Sequence, residues 1–287
     1  MRRLLLISSA LSLCLLASCE FRSRRPAYHF GPGVTLKLRY SAQIRAKAEG
    51  AWGAAPYVSA AEAGFTLKAS DDSAKGQVEL SLSADTLAFR ADERSAEENA
   101  YMDGRLRKYR ARLTLSRTGQ VVALEEEPAL PPVAFSPLNV ARWLAYALPA
   151  FPDEPLRQGA RWEITQPLLD KFHPGAKVTK RYTLSAIRET PEGELATCLV
   201  EFEAWLGEDL GQALGDASGA PAPSLTGTGK AVFNMALGRP ISAELELEGK
   251  FPGDPGRAPG DTAKADPGAT RERILDLQEK VEISISD

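Results

Sequence analysis

From Gly33 onward, apolar and polar residues alternate along this chain. Val34, Leu36, Leu38, Tyr40, Ala42 and Ile44 interleave with Thr35, Lys37, Arg39, Ser41, Gln43 and Arg45. A period of two sends successive side chains to opposite faces of a pleated strand, so such a segment needs a sheet with one dry and one wet face. The same signal predicts strands at 65–69, 78–82, 109–115 and 120–124. It returns at 161–165, 177–186, 195–206, 229–235, 241–251 and 275–285, where Glu279 interrupts the apolar set. The fold class is therefore mainly β, with antiparallel sheets.

The middle of the chain breaks the period. Glu125, Glu126, Glu127 and the prolines at 128, 131 and 132 close the first block. Ser136 then stands as an N-cap with Pro137 at the first helical position. Leu138, Ala141, Trp143, Leu144, Ala145 and Leu148 recur at helical spacing, and Pro149 and Pro152 stop the run. This predicts one central amphipathic helix over 137–148 within a Pro-rich connector at 128–160. Trp143 and Trp162 are expected to meet in the core. Residues 90–105 read as a solvated hairpin tip or a short surface helix. The Gly/Pro/Ala/Asp-rich stretches at 207–227 and 252–270 lack an apolar set and read as flexible loops. Residues 109–124 about Gly119 and 229–247 about Gly238 share a strand, Gly turn, strand design. Two similar meander or half-barrel units, 30–127 and 161–287, are expected on either side of the helix.

The first residues carry an address. Arg2 and Arg3 precede an apolar run at 4–16, and the run ends in Leu16-Ala17-Ser18-Cys19. About 13 apolar residues fall short of the roughly 20 that span a bilayer. Small residues leading into a cysteine resemble the lipobox of bacterial lipoproteins. The resemblance implies a signal peptide at 1–18, a diacylglycerol on the Cys19 thiol, and a lipidated tether at 19–29. With Glu20 in the place where Asp favours the inner membrane of enteric bacteria, the implied location is the outer membrane, facing the periplasm. Arg22, Arg24 and Arg25 read either as contacts to anionic headgroups or as a solvated linker.

Loss of the leader moves the formal charge of the chain from −3 to −5. A mildly acidic domain lacks the basic face that nucleic acid requires. The three cysteines make no disulfide framework. Cys14 leaves with the leader, Cys19 takes lipid, and Cys198 lies in an alternating apolar set as a buried, inert thiol.

The segment Leu-Pro-x-Phe-Pro-x-x-Pro-Leu-x-x-Gly-x-x-Trp at 148–162, with the Gly-led first strand and the paired hairpins, resembles uncharacterised bacterial lipoproteins of the DUF6263 kind. That likeness brings no known activity. In architecture alone, long curved antiparallel sheets are similar to the envelope carriers of lipids and lipoproteins, whose half-barrels hold acyl chains. The chain departs from those carriers in offering one clear helix to plug a concave sheet.

Catalytic and cofactor signatures are thin. His29 and His173 stand alone, without a second His or Cys at metal-ligand spacing. No nucleophile elbow, His-Glu-x-x-His or P-loop is present. Asp71 and Asp72 read as turn residues. Glu125, Glu126 and Glu127, like Glu244, Glu246 and Glu248, read as solvated. The Asp-rich loop at 254–266 lacks the ligand spacing of a calcium site. Trp52, in a loop, is the aromatic expected at a contact or ligand edge. The expected protein is a non-enzymatic envelope lipoprotein without a cofactor. It binds a hydrophobic ligand or an envelope protein, or else serves as a structural or assembly lipoprotein without a cavity. A carrier requires a cavity of a few hundred Å³ lined by the inward sets beginning at Val34 and Ile241.

Overall fold

Five strands precede the helix: β1 (Val34–Ala48), β2 (Tyr57–Asp72), β3 (Gln77–Ala91), β4 (Arg110–Ser116) and β5 (Val121–Glu127). The helix, α1, covers Val140–Ala147. Six strands follow it: β6 (Arg161–Pro167), β7 (Lys177–Thr190), β8 (Gly193–Trp205), β9 (Ser224–Asn234), β10 (Arg239–Gly253) and β11 (Arg273–Ser286). The structure is a computed structural model and describes residues 25–31, 33–48, 57–72, 74–91, 104, 107–127, 140–167, 177–205, 224–253 and 273–287.

All the strands belong to one antiparallel near-barrel sheet in the order β5-β4-β3-β2-β1-β11-β10-β9-β8-β7-β6. The meander before the helix and the meander after it are thus joined edge to edge. Their seam is the pairing of the first strand with the last, running from Lys37↔Ser286 to Ala48↔Leu275. β5 and β6 are the two free edges, and the chain between them carries α1.

Apolar alternation holds in register across the sheet. Leu38 of β1 faces Phe65 of β2 and Ile285 of β11, and Ala42 faces Ala61 and Val281. These side chains are buried, whereas their neighbours Lys37, Arg39 and Arg45 are exposed. Register shifts at Gly64/Phe65, Thr114/Leu115, Leu184/Ala186 and Pro240/Ser242 bend the strands. On the inward face of β9, Gly227 and Gly229 lie where a Cβ would run into the backbone carbonyls of Glu246 and Glu244 on β10. Absence of a side chain there lets β10 close in and Leu245 and Leu247 lean across β9.

The two ends of the near-barrel differ. The β2–β3, β4–β5, β7–β8 and β9–β10 connections are tight turns at one end, with positive-φ glycines at Gly76, Gly119, Gly193 and Gly238. All the longer strand connections leave from the other end. We call these the turn end and the loop end.

α1 lies inside the curl, next to β4, β5, β10 and β11. The amphipathic pattern implied one wet face, yet every residue from Val140 to Ala147 is buried. Arg142, 7% exposed, points its charge at the sheet instead of at solvent. Residues 136–139, the expected cap and first turn, lie outside the described residues.

Candidate functional site

Past α1 the chain crosses the interior as Leu148-Pro149-Ala150-Phe151, all of it buried. Buried backbone away from secondary structure must find partners or pay a desolvation penalty of about 1–3 kcal/mol per orphaned group. Here the carbonyls of 148–150 and the amides of 148, 150 and 151 are each met by a specific group. Lys180 of β7 donates from Nζ to the carbonyls of Tyr146 and Leu148, both at 3.1 Å, and to that of Ala145 at 3.5 Å. Tyr28 Oη donates to the Pro149 carbonyl at 2.9 Å. Tyr182 Oη accepts from the Ala150 amide at 3.1 Å, and Trp162 Nε1 donates to the Ala150 carbonyl at 2.7 Å. The Phe151 amide donates to the Thr118 carbonyl at 2.7 Å.

The rings pack as tightly as the hydrogen bonds. Trp162 stacks on Tyr182 at 5.1 Å with 12° between the planes, and Phe151 meets Phe233 edge-on at 4.9 Å. These contacts explain the spacing of the 148–162 segment. Its terminal Trp162 reaches back over the turn at Gly159 to the carbonyl of Ala150. Trp143 lies wholly buried on α1 against Tyr146.

Lys180 has no exposed surface. Burial pushes its ammonium pKa down to about 7. Opposing that, its three carbonyls form the C-terminal end of α1, where aligned peptide dipoles favour a cation. Burial likewise raises the Tyr28 and Tyr182 phenols, so both act as neutral hydrogen-bonding groups.

A second latch ties α1 to the opposite edge. Glu126 of β5 accepts from Tyr109 Oη at 2.7 Å and faces Arg142 Nη2 at 3.6 Å. Both charged side chains are about nine-tenths buried. The sequence reading of Glu126 as solvated is therefore corrected. It shares the inward face with Leu124, opposite Ala111 and Leu113, while Glu125 and Glu127 point outward.

The N-terminal strap, residues 26–31, closes the turn end. The Tyr28 amide donates to the Arg117 carbonyl at 2.7 Å and the His29 amide to the Gly238 carbonyl at 2.9 Å. Asp71 accepts from the Phe30 amide at 3.1 Å and sits 2.7 Å from His29 Nδ1. Gly119 and Gly238, with φ of 85° and 63°, both lie directly beneath the strap. A Cβ on Gly119 would come within 2.5 Å of the Tyr28 ring, and one on Gly238 within 2.8 Å of the His29 amide nitrogen. The two hairpin glycines thus serve the strap as well as their turns.

Of the residues singled out in the sequence, Leu16, Ala17, Ser18, Cys19, Trp52 and His173 lie outside the described residues. Cys198 is a buried free thiol with its pKa pushed up to about 12 by burial. Asp71, next to the last residue of β2, holds the strap, a role its expected turn position did not announce. Glu246 lies on the wet face near Lys280, at 3.6 Å. Lys180 and Glu126 were missed, although both stand in phase with apolar neighbours, Lys180 between Val178 and Tyr182 and Glu126 after Leu124.

Two open grooves, of about 730 and 460 Å³, lie along the sheet, one near Arg112 and Glu125 and the other near Arg45 and Glu248. Their linings are mixed, because Leu82, Ala111 and Glu126 of the inward face join the first and Leu247 joins the second. Among the described residues, no group of three or more His, Cys, Asp or Glu is placed to hold a metal, and no helix is long and apolar enough to cross a membrane.

The fold and its interior define a class: a one-sheet β near-barrel that holds its own connecting helix. Neither a family model nor a curated protein matches the chain.

Proposed function

We propose that this chain is a lipid-anchored envelope protein, held at Cys19, that acts without catalysis by engaging an envelope partner protein. One observation carries the partner reading. The turn-end interior is spent on the chain itself, because Lys180, Tyr182, Trp162 and Tyr28 all satisfy the backbone of 145–150. Side chains committed to a resident segment describe a filled core rather than a chamber awaiting cargo. A partner is then met by surfaces and loops. Duplication of one meander would account for a strand order that falls from β5 to β1 and again from β10 to β6, with Gly119 in the β4–β5 turn answering Gly238 in the β9–β10 turn.

A second reading, binding of a hydrophobic ligand, draws on Gln166. This residue is 5% exposed on the inward face of β6 near the loop end, and neither atom of its amide has a hydrogen-bond partner among the described residues. A buried, unsatisfied amide is costly, and the polar head of an acyl ligand would satisfy it. Native mass spectrometry of a soluble form that begins after Cys19, purified without detergent, separates the two readings. Bare protein supports the partner reading, and a reproducible co-purified lipid mass supports the ligand reading.

A further inference from the structure

Once Cys19 is taken as the anchor, the strap fixes which end of the molecule meets the bilayer. We infer that the turn end is the membrane-facing surface of the near-barrel, and that the loop end is presented away from the membrane. This rests on the lipid-anchor reading and adds an orientation to it.

The first argument is covalent reach. A fully extended chain advances at most about 3.6 Å per residue, so Cys19 to Arg25 spans no more than about 22 Å. The second is where that short leash is fastened. Immediately after Arg25 the chain enters the strap, pinned by Tyr28 to Arg117, by His29 to Gly238 and by Phe30 to Asp71. Those partners belong to the β4–β5 and β9–β10 turns and to the end of β2, all at the turn end. Tyr28 and Phe30 are buried beneath the strap at 1% and 4% exposure, so it is part of the fold rather than a free linker.

The third argument is the length of the sheet. β8 runs from the turn end to the loop end in 13 residues. At about 3.3 Å per residue that is roughly 40 Å, or about 30 Å along the axis at the usual tilt of barrel strands. The leash is thus shorter than the barrel. The loop end cannot swing down to the surface that holds Cys19 unless the strap comes undone or the molecule lies flat.

The membrane-facing surface is then made of the four tight turns, with Leu237 exposed at the tip of one of them. The far ends of the long strands, at Ala48, Trp205 and Gly253, then face away, toward the aqueous space. A partner engaged at that end is met in that space and not within the anchoring bilayer.

The test uses the full chain, matured and lipidated in a bacterial host and reconstituted into phosphatidylethanolamine/phosphatidylglycerol vesicles. In a Cys198→Ala background, a donor fluorophore is placed at Leu237→Cys on the turn end or at Lys177→Cys on the loop end. The acceptor is a lipid labelled at its headgroup. Energy transfer at least twofold greater at position 237 than at 177 is expected. Equal transfer, or more at 177, in protein whose N-terminal peptide carries the lipid mass overturns the orientation and leaves the anchor standing. An N-terminal peptide without lipid overturns the anchor reading, and the orientation falls with it.

Discussion

Lys180 makes its contribution at an unusual place, an amine wholly enclosed and facing three carbonyls and the Tyr182 ring. Its pKa is about 7 in the fold and about 10.4 in an unfolded chain. Between those values the unfolded state binds the extra proton, so stability rises with pH. The rise ends near pH 9, where the Cys198 thiol, raised in the fold, begins to favour the unfolded state. Unfolding by urea should therefore show a gain of roughly 2 kcal/mol from pH 7 to 9, and Lys180→Met should abolish that slope. The same burial predicts that Cys198 stays unlabelled by maleimide at pH 8 until denaturant is added, because the folded thiol supplies almost no thiolate. Prompt labelling of the native protein would contradict it. Both residues sit in phase with apolar neighbours. For a cysteine that pattern was enough to foresee burial, whereas a lysine in the same phase carried no hint of the carbonyls waiting for it. Those carbonyls belong to residues 32 to 35 positions away.

At the scale of elements, α1 is a helix of eight residues, too short to persist alone in water. Its stability comes from what surrounds it. Glu126→Gln removes the carboxylate that faces Arg142. At 3.6 Å the pair is loose, so the expected loss is about 2 kcal/mol, below the 3–5 kcal/mol of a tight buried pair, read from the shift in urea midpoint. Trp143→Ala should cost roughly 3–5 kcal/mol through the cavity it leaves. The strap makes a separate prediction. Gly238→Ala forces a side chain into a positive-φ position and against His29, costing on the order of 1–3 kcal/mol. Limited proteolysis of that variant should cut first near residues 25–31. Alternation showed the strands because it is a local property, written in each residue and its second neighbour. It showed the central helix as amphipathic and missed its burial, because Arg142 reads as a solvent face until β5 is placed beside it. The strap was invisible for a related reason. Tyr28, His29 and Phe30 form no periodic element, and their partners are a turn glycine, a turn carbonyl and the Asp71 carboxylate near the end of β2.

For the whole molecule, the anchor makes the plainest prediction. Cys19→Ala should abolish lipid labelling and release the protein from the membrane fraction, and undiminished attachment would remove the basis of the anchor reading. Sequence patterns supplied the strands of this architecture but not their closure. Nothing in 34–48 or 273–286 states that the two pair, because each presents the same alternating face to any neighbour. The interior was legible only as a list of apolar positions, and its polar fastenings required the fold.

The seam between β1 and β11 has a consequence for how the protein comes into being. A chain made from its N-terminus delivers β1 first and its partner β11 after all the other strands. Until 273–286 emerge, β1 has one side unpaired, and the meander of β6 to β10 has no place to attach. The hydrogen bonds of that seam therefore form only after 273–286 have been made, and such long-range closure is intrinsically slow. During that wait the growing chain exposes two open strand edges at its middle, the condition in which sheets pair with the wrong neighbour. A premature stop before Arg273 would leave that gap permanent, turning a protein short by one strand into two half-sheets with nothing between them.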